Sequence, residues 1–242
     1  MPISPNFTSI LSKDWEINFL QCYPNGNLKY TELCNLFQLT AAANYELGGI
    51  SFSDMQDFHQ AWVLSKMLVE VHKLPKWKDK VTVKTWIKSL ENSRSVRCLE
   101  LYLGEEKLVG CETFWAVFNT QTRRPESLAL PSDHFEKYPE ASATQNSFSK
   151  INIQNEFTTI AERQVALSDL DIVNHMNSVK YLEWCLDTIN PKDLISGKLK
   201  SFEMNYLKEL SLSDYATIAQ NESVITINKD GKTCFAISLF NH

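Results

Sequence analysis

The sequence lacks the motifs of several large classes of protein. Its 242 residues include only 7 glycines, and none of these builds a glycine-rich phosphate loop or a G-x-S-x-G nucleophile turn. The 6 cysteines form no C-x-x-C pair, and no metal-ligand spacing is present, so we expect neither a metal nor another cofactor. Because the cysteines lie in or near apolar runs, we interpret them as reduced thiols, and Cys185 as a core residue.

Positive charge and long apolar runs are also scarce. Lysine and arginine number 24 against 29 aspartates and glutamates, a formal net charge of -5, which disfavours a nucleic-acid partner. No uncharged apolar run approaches the ~18 residues that span a bilayer. The first residues show no basic segment followed by an apolar one. We therefore expect a cytoplasmic protein that binds neither nucleic acid nor membrane.

The apolar pattern occurs twice along the chain. In the first half, the pattern predicts a strand at 15–23, then a helix at 30–47 with Thr31 as its N-cap, then strands at 60–72, 80–90, 94–103 and 107–118. The second half repeats this order, with a strand at 157–166, a helix at 176–189, and strands at 199–209, 215–220, 223–229 and 232–240.

A helix followed by an antiparallel meander can bury its apolar stripe only against the sheet. In the first helix that stripe is Leu33, Leu36, Phe37 and Leu39. The pattern therefore predicts an α+β fold with two similar domains, an internal pseudo-dimer. We place the domains at 1–135 and 156–242, with a polar linker at 136–155.

The densest group of chemically active side chains lies in residues 168–184, SDLDIVNHMNSVKYLEW. Asp169, Asp171, Asn174, His175 and Asn177 directly precede an apolar helical pattern. A histidine oriented by a carboxylate at a helix start can act as a general base on water, beside unpaired backbone N–H groups. The same residues also suit a plainer interpretation, in which the polar side chains cap the helix and the histidine is structural.

A further carboxylate of interest is Glu209, in the segment FEMNYLKEL at 202–210. Alone, it would be a solvated residue near the end of a strand. In a meander, however, the strand after the helix can return its end to the start of the helix, where Glu209 and His175 would share a water.

These features together resemble the acyl-ACP thioesterase family of bacteria and plants. The resemblance covers nearly the whole chain, and it is sharpest in SDLDIVNHMNSVKYLEW, with support from NYLKEL and from WVLSKMLVEVHKLPKWKDKVTVKTW at 62–86. It implies two tandem hot-dog domains, each a long central helix wrapped by an antiparallel sheet. The N-terminal domain would shape the acyl pocket, and the C-terminal domain would carry the catalytic residues.

The resemblance also implies a reaction, the hydrolysis of fatty acyl-ACP that terminates fatty acid synthesis. Asp171 and His175 match the family's D-x-N-x-H motif, and Glu209 matches its glutamate, so these three are the predicted catalytic residues. His175 and Glu209 would activate the water, and Asp171 would orient or assist.

The predicted substrate-binding residues are Asn174, Met176 and Asn177. A backbone N–H near Met176 or Asn177 would contact the oxyanion.

The sequence departs from the family pattern at two positions. Val173 stands where the motif has asparagine, and the nearest amide, Asn174, comes one position later. Leu210 stands where plant members have a cysteine, which removes a thiol nucleophile. Val173 keeps open a second function, a non-catalytic protein that binds or senses acyl thioesters. A third is a hot-dog hydro-lyase acting on enoyl or hydroxyacyl thioesters.

The implied partner is acyl carrier protein bearing a fatty acyl thioester. Because that protein is acidic, an acidic enzyme must concentrate positive charge where it docks. The sequence leaves open a homodimer. The candidate docking cations are Lys76, Lys78, Lys80, Arg123, Arg124 and Lys180.

Overall fold

The structure, a computed structural model, describes residues 3–241. Four α-helices are present in that range: α1 (Tyr30–Leu47), α2 (Phe52–Gln56), α3 (Ser178–Leu186) and α4 (Pro191–Ile195). The strands are β1 (Ile10–Glu16), β2 (Gln60–Val71), β3 (Lys80–Glu91), β4 (Arg94–Leu103), β5 (Glu106–Asn119), β6 (Arg124–Pro125), β7 (Thr158–Gln164), β8 (Leu199–Tyr206), β9 (Tyr215–Asn221), β10 (Val224–Lys229) and β11 (Lys232–Asn241). None of the helices in the described range is long and apolar enough to cross a membrane.

The chain divides into two compact units, and the first comprises Met1–Ser65 and His72–Gln145. Its strands pair antiparallel in the order β1-β3-β4-β5, and β6 pairs with β5. Helix α1 lies against β3 and β1 and buries Leu33, Leu36 and Phe37, as the sequence predicts. Leu39 is a wrong member of the predicted stripe, because its side chain lies on the outer face and is 53% exposed.

The second unit comprises Lys66–Val71 and Asn146–His242. Its strand order is β8-β11-β10-β9-β7, and Lys66–Glu70 of β2 pair antiparallel with β8. Helix α3 packs on β10 and β11. The predicted first domain contains all of 1–135, and the structure differs at Lys66–Val71 because this half of β2 takes its backbone partners from β8.

Helices α1 and α3 and the strands from β2 onward lie near their predicted positions, whereas α2, α4 and β6 were not predicted. The predicted N-cap Thr31 is wrong, since Thr31 is already inside α1 and the N-cap residue is Lys29. The predicted strand at 15–23 is wrong for most of its length, since β1 spans Ile10–Glu16 and Asn18 caps a 3-10 turn at Phe19–Gln21. Strand β8 ends at Tyr206, so Glu209 lies in the loop that follows.

The predicted linker has no helix or strand in the described chain between β6 and β7, yet side chains of the strands hold it in place. In the second unit, Glu70 Oε1 accepts hydrogen bonds from Asn146 N at 2.9 Å and Nδ2 at 2.7 Å. Glu203 Oε2 accepts from Ser149 Oγ at 2.6 Å. Both carboxylates are buried, so the linker is anchored at sites that its own sequence does not reveal.

Candidate active site

Residues 170–177 form a closed loop that leads into α3. Asp171 Oδ1 accepts hydrogen bonds from Val173 N at 3.0 Å and His175 N at 3.2 Å, and Asp171 N donates to His175 O at 2.9 Å. The carboxylate of Asp171 therefore shapes the loop through its backbone. Asn174 has φ +63°, a conformation that asparagine tolerates and a β-branched residue does not. This explains why the amide stands at position 174 of this loop.

The loop brings His175 to Glu209, which is 34 positions later in the chain. His175 Nε2 lies 3.6 Å from Glu209 Oε2, and the two side chains are 30% and 35% exposed. This distance is too long for a direct hydrogen bond. A single water can bond to both atoms at this separation, which is the geometry that a general base needs when it activates water.

Two hydrogen bonds to Leu210 fix the position of Glu209. Met176 N donates to Leu210 O at 2.8 Å, and Leu210 N donates to Tyr181 Oη at 2.8 Å. Leu210 itself is fully buried. The loop that carries Glu209 is thus attached from both sides to the start of α3.

The predicted oxyanion contacts are wrong for the two N–H groups that were named. Met176 N is engaged by Leu210 O, and Asn177 N donates to Asp169 O at 2.8 Å. The Asn177 side chain caps α3 by accepting from Val179 N at 2.9 Å, so neither residue has a free backbone donor. The side-chain amide of Asn174 makes no hydrogen bond with the residues described, and it remains the predicted contact for substrate.

Tyr181 is a site residue that the sequence reasoning missed, because its position in the apolar pattern of α3 indicated only core packing. Burial raises the pKa of Tyr181, so its hydroxyl stays neutral and accepts from Leu210 N. Its ring packs against Tyr206 and Phe235 at 5.9 and 5.3 Å. A buried tyrosine usually forms a hydrogen bond through its hydroxyl, and this preference could have identified Tyr181 from the sequence.

Replacing Tyr181 by phenylalanine is expected to lower the free energy of unfolding by about 1–3 kcal/mol, because the buried Leu210 N–H loses its acceptor. Since that bond positions Glu209, kcat should fall while KM changes little. Chemical denaturation and steady-state kinetics measure both effects. The control is Tyr215→Phe, at a tyrosine that is 72% exposed. Equal kinetics for the two variants would show that Tyr181 does not contribute to the site.

The cysteines take no part in this arrangement. All six are free thiols, and Cys185 is fully buried on α3. Burial raises the pKa of Cys185, which keeps the thiol protonated and a poor nucleophile. Leu210, directly after Glu209, offers no thiol either.

The first unit contains a second copy of the same loop. Tyr23 N donates to Asn27 O at 2.8 Å, as Asp171 N does to His175 O at 2.9 Å. Glycine at position 26 has φ +81°, matching the +63° of Asn174. The loop before α1 therefore has the backbone of the loop before α3.

The connection to the following strand is duplicated as well. Leu28 N donates to Pro75 O at 2.8 Å, as Met176 N does to Leu210 O. By this equivalence Asn27 stands in place of His175, Tyr23 in place of Asp171, and Leu74 in place of Glu209. The duplicated pattern predicted from the sequence thus extends to individual hydrogen bonds, and the first copy lacks the histidine and both carboxylates.

Two units that each lay a helix on an antiparallel sheet, with a histidine and a carboxylate converging at one helix start, define a tandem hot-dog protein with a site suited to activating water. The chain belongs to the acyl-ACP thioesterase family. The family's N-terminal domain model matches residues 9–138, and its C-terminal domain model matches residues 152–238.

Named relatives agree with this assignment. Palmitoyl-acyl carrier protein thioesterase of Cuphea hookeriana is 29% identical over 192 residues, covering 72% of this chain and 46% of that protein. Oleoyl-acyl carrier protein thioesterase of Coriandrum sativum is 24% identical over 176 residues, covering 66% of this chain and 47% of that protein. Both are described as chloroplastic, and the chain spans about half the length of these curated relatives.

The solved structures confirm the predicted fold. An acyl-ACP thioesterase from Bacteroides thetaiotaomicron superposes with a TM-score of 0.89 at 20% identity, covering 97% of this chain and 98% of that one. The 12:0-ACP thioesterase of Umbellularia californica gives a TM-score of 0.77 at 19% identity, covering 96% of each chain.

Proposed function

We propose that this protein hydrolyses fatty acyl-ACP to a free fatty acid and acyl carrier protein. The observation that carries the proposal is the 3.6 Å separation of His175 Nε2 and Glu209 Oε2 beside the start of α3. Support comes from the family to which the chain belongs, since its characterised relatives are named as thioesterases of acyl carrier protein.

The reaction proceeds by direct attack of water on the thioester carbonyl. His175 and Glu209 hold the water and accept its proton while the C–O bond forms. The proton then passes to the sulfur as the C–S bond breaks, which releases the thiol and the carboxylic acid. Asp171 acts as a positioning residue, because its bonds to two backbone N–H groups hold His175 in the loop. The Asn174 amide would donate to the oxyanion.

Val173 favours a second candidate function, a protein that binds acyl thioesters without hydrolysing them. Its backbone N–H donates to Asp171 Oδ1, while its side chain is 40% exposed and supplies no amide. We regard hydrolysis as the better conclusion, since a binding protein has no need for the converging His175 and Glu209.

Thiol release from a panel of acyl-ACPs and matched acyl-CoAs tests the proposal. Release of one thiol and one fatty acid per turnover is expected, with a chain-length preference read directly from the panel. Tight acyl-ACP binding without release would contradict hydrolysis and support the binding protein. Addition of water to an enoyl thioester, again without thiol release, would indicate the hydro-lyase.

A further inference from the structure

We propose that the first unit's copy of the loop is the docking surface for the acidic face of acyl carrier protein, an inference that rests on the proposed function. Having lost the catalytic side chains, this copy presents a contiguous rim of cations and exposed apolar groups. We call it the Trp77 rim, and it consists of Phe19, Leu20, Lys29, Lys76, Trp77 and Lys78.

Hydrogen bonds place these residues side by side. Trp77 N donates to Gly26 O at 2.9 Å, and Lys29 Nζ donates to Leu20 O at 3.0 Å. The three apolar side chains, of Phe19, Leu20 and Trp77, are 67%, 71% and 52% exposed. One exposed apolar residue is ordinary, whereas several grouped on one rim with polar neighbours mark a binding surface.

Comparison of the two copies shows that the lysines are not needed by the fold. Lys76 N donates to Asp79 Oδ2 at 2.7 Å, as Ser211 N does to Asp214 Oδ2 at 2.9 Å. Two residues further along, Lys78 has φ +72° and Ser213 has φ +67°. The same turn therefore carries two lysines in the first unit and two serines in the second.

Lys29, the third lysine of the rim, also has a neutral counterpart in the second unit. Lys29 N donates to Gln21 O at 2.9 Å, and its counterpart Asn177 N donates to Asp169 O. At three equivalent backbone positions the first copy is cationic and the catalytic copy is neutral. A chain with a net charge of -5 thus places three lysines at these positions of the copy that has no catalytic side chains.

The charge of the rim is available to a partner. Within residues 3–241, Lys29, Lys76 and Lys78 form no ion pair, and Lys78 Nζ lies 4.7 Å from the ring centre of Trp77. Of the other predicted docking cations, Lys180 pairs with Glu183 at 2.9 Å and Lys80 stands opposite Glu16 across β1 and β3. An acidic partner would therefore meet less competition at the Trp77 rim than at Lys180 or Lys80.

The chemistry of the rim specifies an acidic protein surface with apolar contacts of its own. Cations steer such a partner during encounter and set its orientation, and Trp77 supplies the kind of aromatic anchor that dominates binding energy in interfaces. Acyl carrier protein is the acidic protein that the proposed reaction requires.

The test is the double variant Lys76→Glu/Lys78→Glu, assayed with acyl-ACP and with acyl-CoA of the same chain length. KM for acyl-ACP is expected to rise about tenfold or more, with a weaker dependence on salt, because opposed charges become like charges. KM for acyl-CoA and kcat for both substrates should stay unchanged. The matched control is Lys150→Glu/Lys232→Glu, which makes the same change of charge at two exposed positions of the second unit.

An unchanged KM for acyl-ACP, or an equal rise for acyl-CoA and in the control variant, would overturn the docking surface. Loss of binding to RNA or to anionic vesicles, with acyl-ACP kinetics intact, would overturn it in favour of another partner. If the wild-type protein hydrolyses no thioester, the proposed function fails. Fluorescence anisotropy of labelled acyl carrier protein then still tests docking, and weaker binding by the double variant alone would support it.

Discussion

Replacing His175 by alanine is expected to lower kcat for acyl-ACP hydrolysis by about 10²–10⁴-fold, the contribution typical of a general base. The imidazole is one of the two groups that hold the water and accept its proton. KM should change little, because the variant removes an interaction made mainly in the transition state. Steady-state thiol release with saturating acyl-ACP measures the effect.

Glu209→Gln tests whether the two side chains act as one unit. The glutamine keeps the size of the carboxylate and removes its charge, and we expect a loss in kcat similar to that of His175→Ala. The double variant should be little worse than either single variant, since residues that share one water are not additive. Losses that multiply in the double variant would show that the two residues act separately.

A histidine elsewhere in the chain supplies the control for both variants. His59 is an exposed histidine of the first unit with φ +53°, a conformation that asparagine also tolerates. His59→Asn should therefore keep the wild-type rate. Full activity in His175→Ala would contradict the assignment of the base, whatever the behaviour of Glu209→Gln.

Gly110→Ala is expected to lower the free energy of unfolding by about 1–3 kcal/mol, the usual cost of inserting a methyl group where no space exists. A Cβ at this position of β5 would lie 2.0 Å from Ala143 O, so the clash is with the backbone of the linker. Backbone yields less readily than a flexible side chain, and the linker must shift. Denaturant unfolding followed by tryptophan fluorescence measures the loss.

Lys107→Met provides the comparison for that substitution. Lys107 Nζ donates to Ala143 O at 2.7 Å, so this variant removes an attachment of the linker without forcing the backbone to move. The variant also removes the ion pair of Lys107 with the buried carboxylate of Glu100, so a loss of about 1–3 kcal/mol is expected, through lost polar contacts and not through overpacking. If Gly110→Ala were as stable as the wild type, close packing of the linker on β5 would be excluded.

Local periodicity made the elements of this fold predictable. The helix at 30–47 and the strand at 94–103 coincide with α1 and β4, because each period reflects which face of one segment is buried. The ends were less predictable. The first strand was predicted at 15–23 but spans Ile10–Glu16, because Asn18 caps a turn at Phe19–Gln21 where the strand pattern continued.

The active site, too, was predictable only in part from the sequence. Residue types marked Asp171, His175 and Glu209 as candidates, and the family resemblance supplied their predicted roles. Tertiary structure decided that Asp171 bonds backbone N–H groups, that the N–H groups of Met176 and Asn177 are occupied, and that Tyr181 supports the loop of Glu209. These outcomes depend on which donor pairs with which acceptor in the folded chain, and the sequence pattern does not specify those pairs.

By itself, the sequence determined the duplicated order of helix and strands, the identity of the polar cluster and the family that these imply. Only the tertiary structure decided that the two copies share one loop geometry, that one copy carries the histidine and carboxylates, and that lysines occupy the matching positions of the other. The physical reason is that the pattern of buried and exposed residues in each segment follows from that segment's own sequence. The position of a side chain near another that is 34 residues away depends instead on strand register and on hydrogen bonds such as that of Met176 N to Leu210 O.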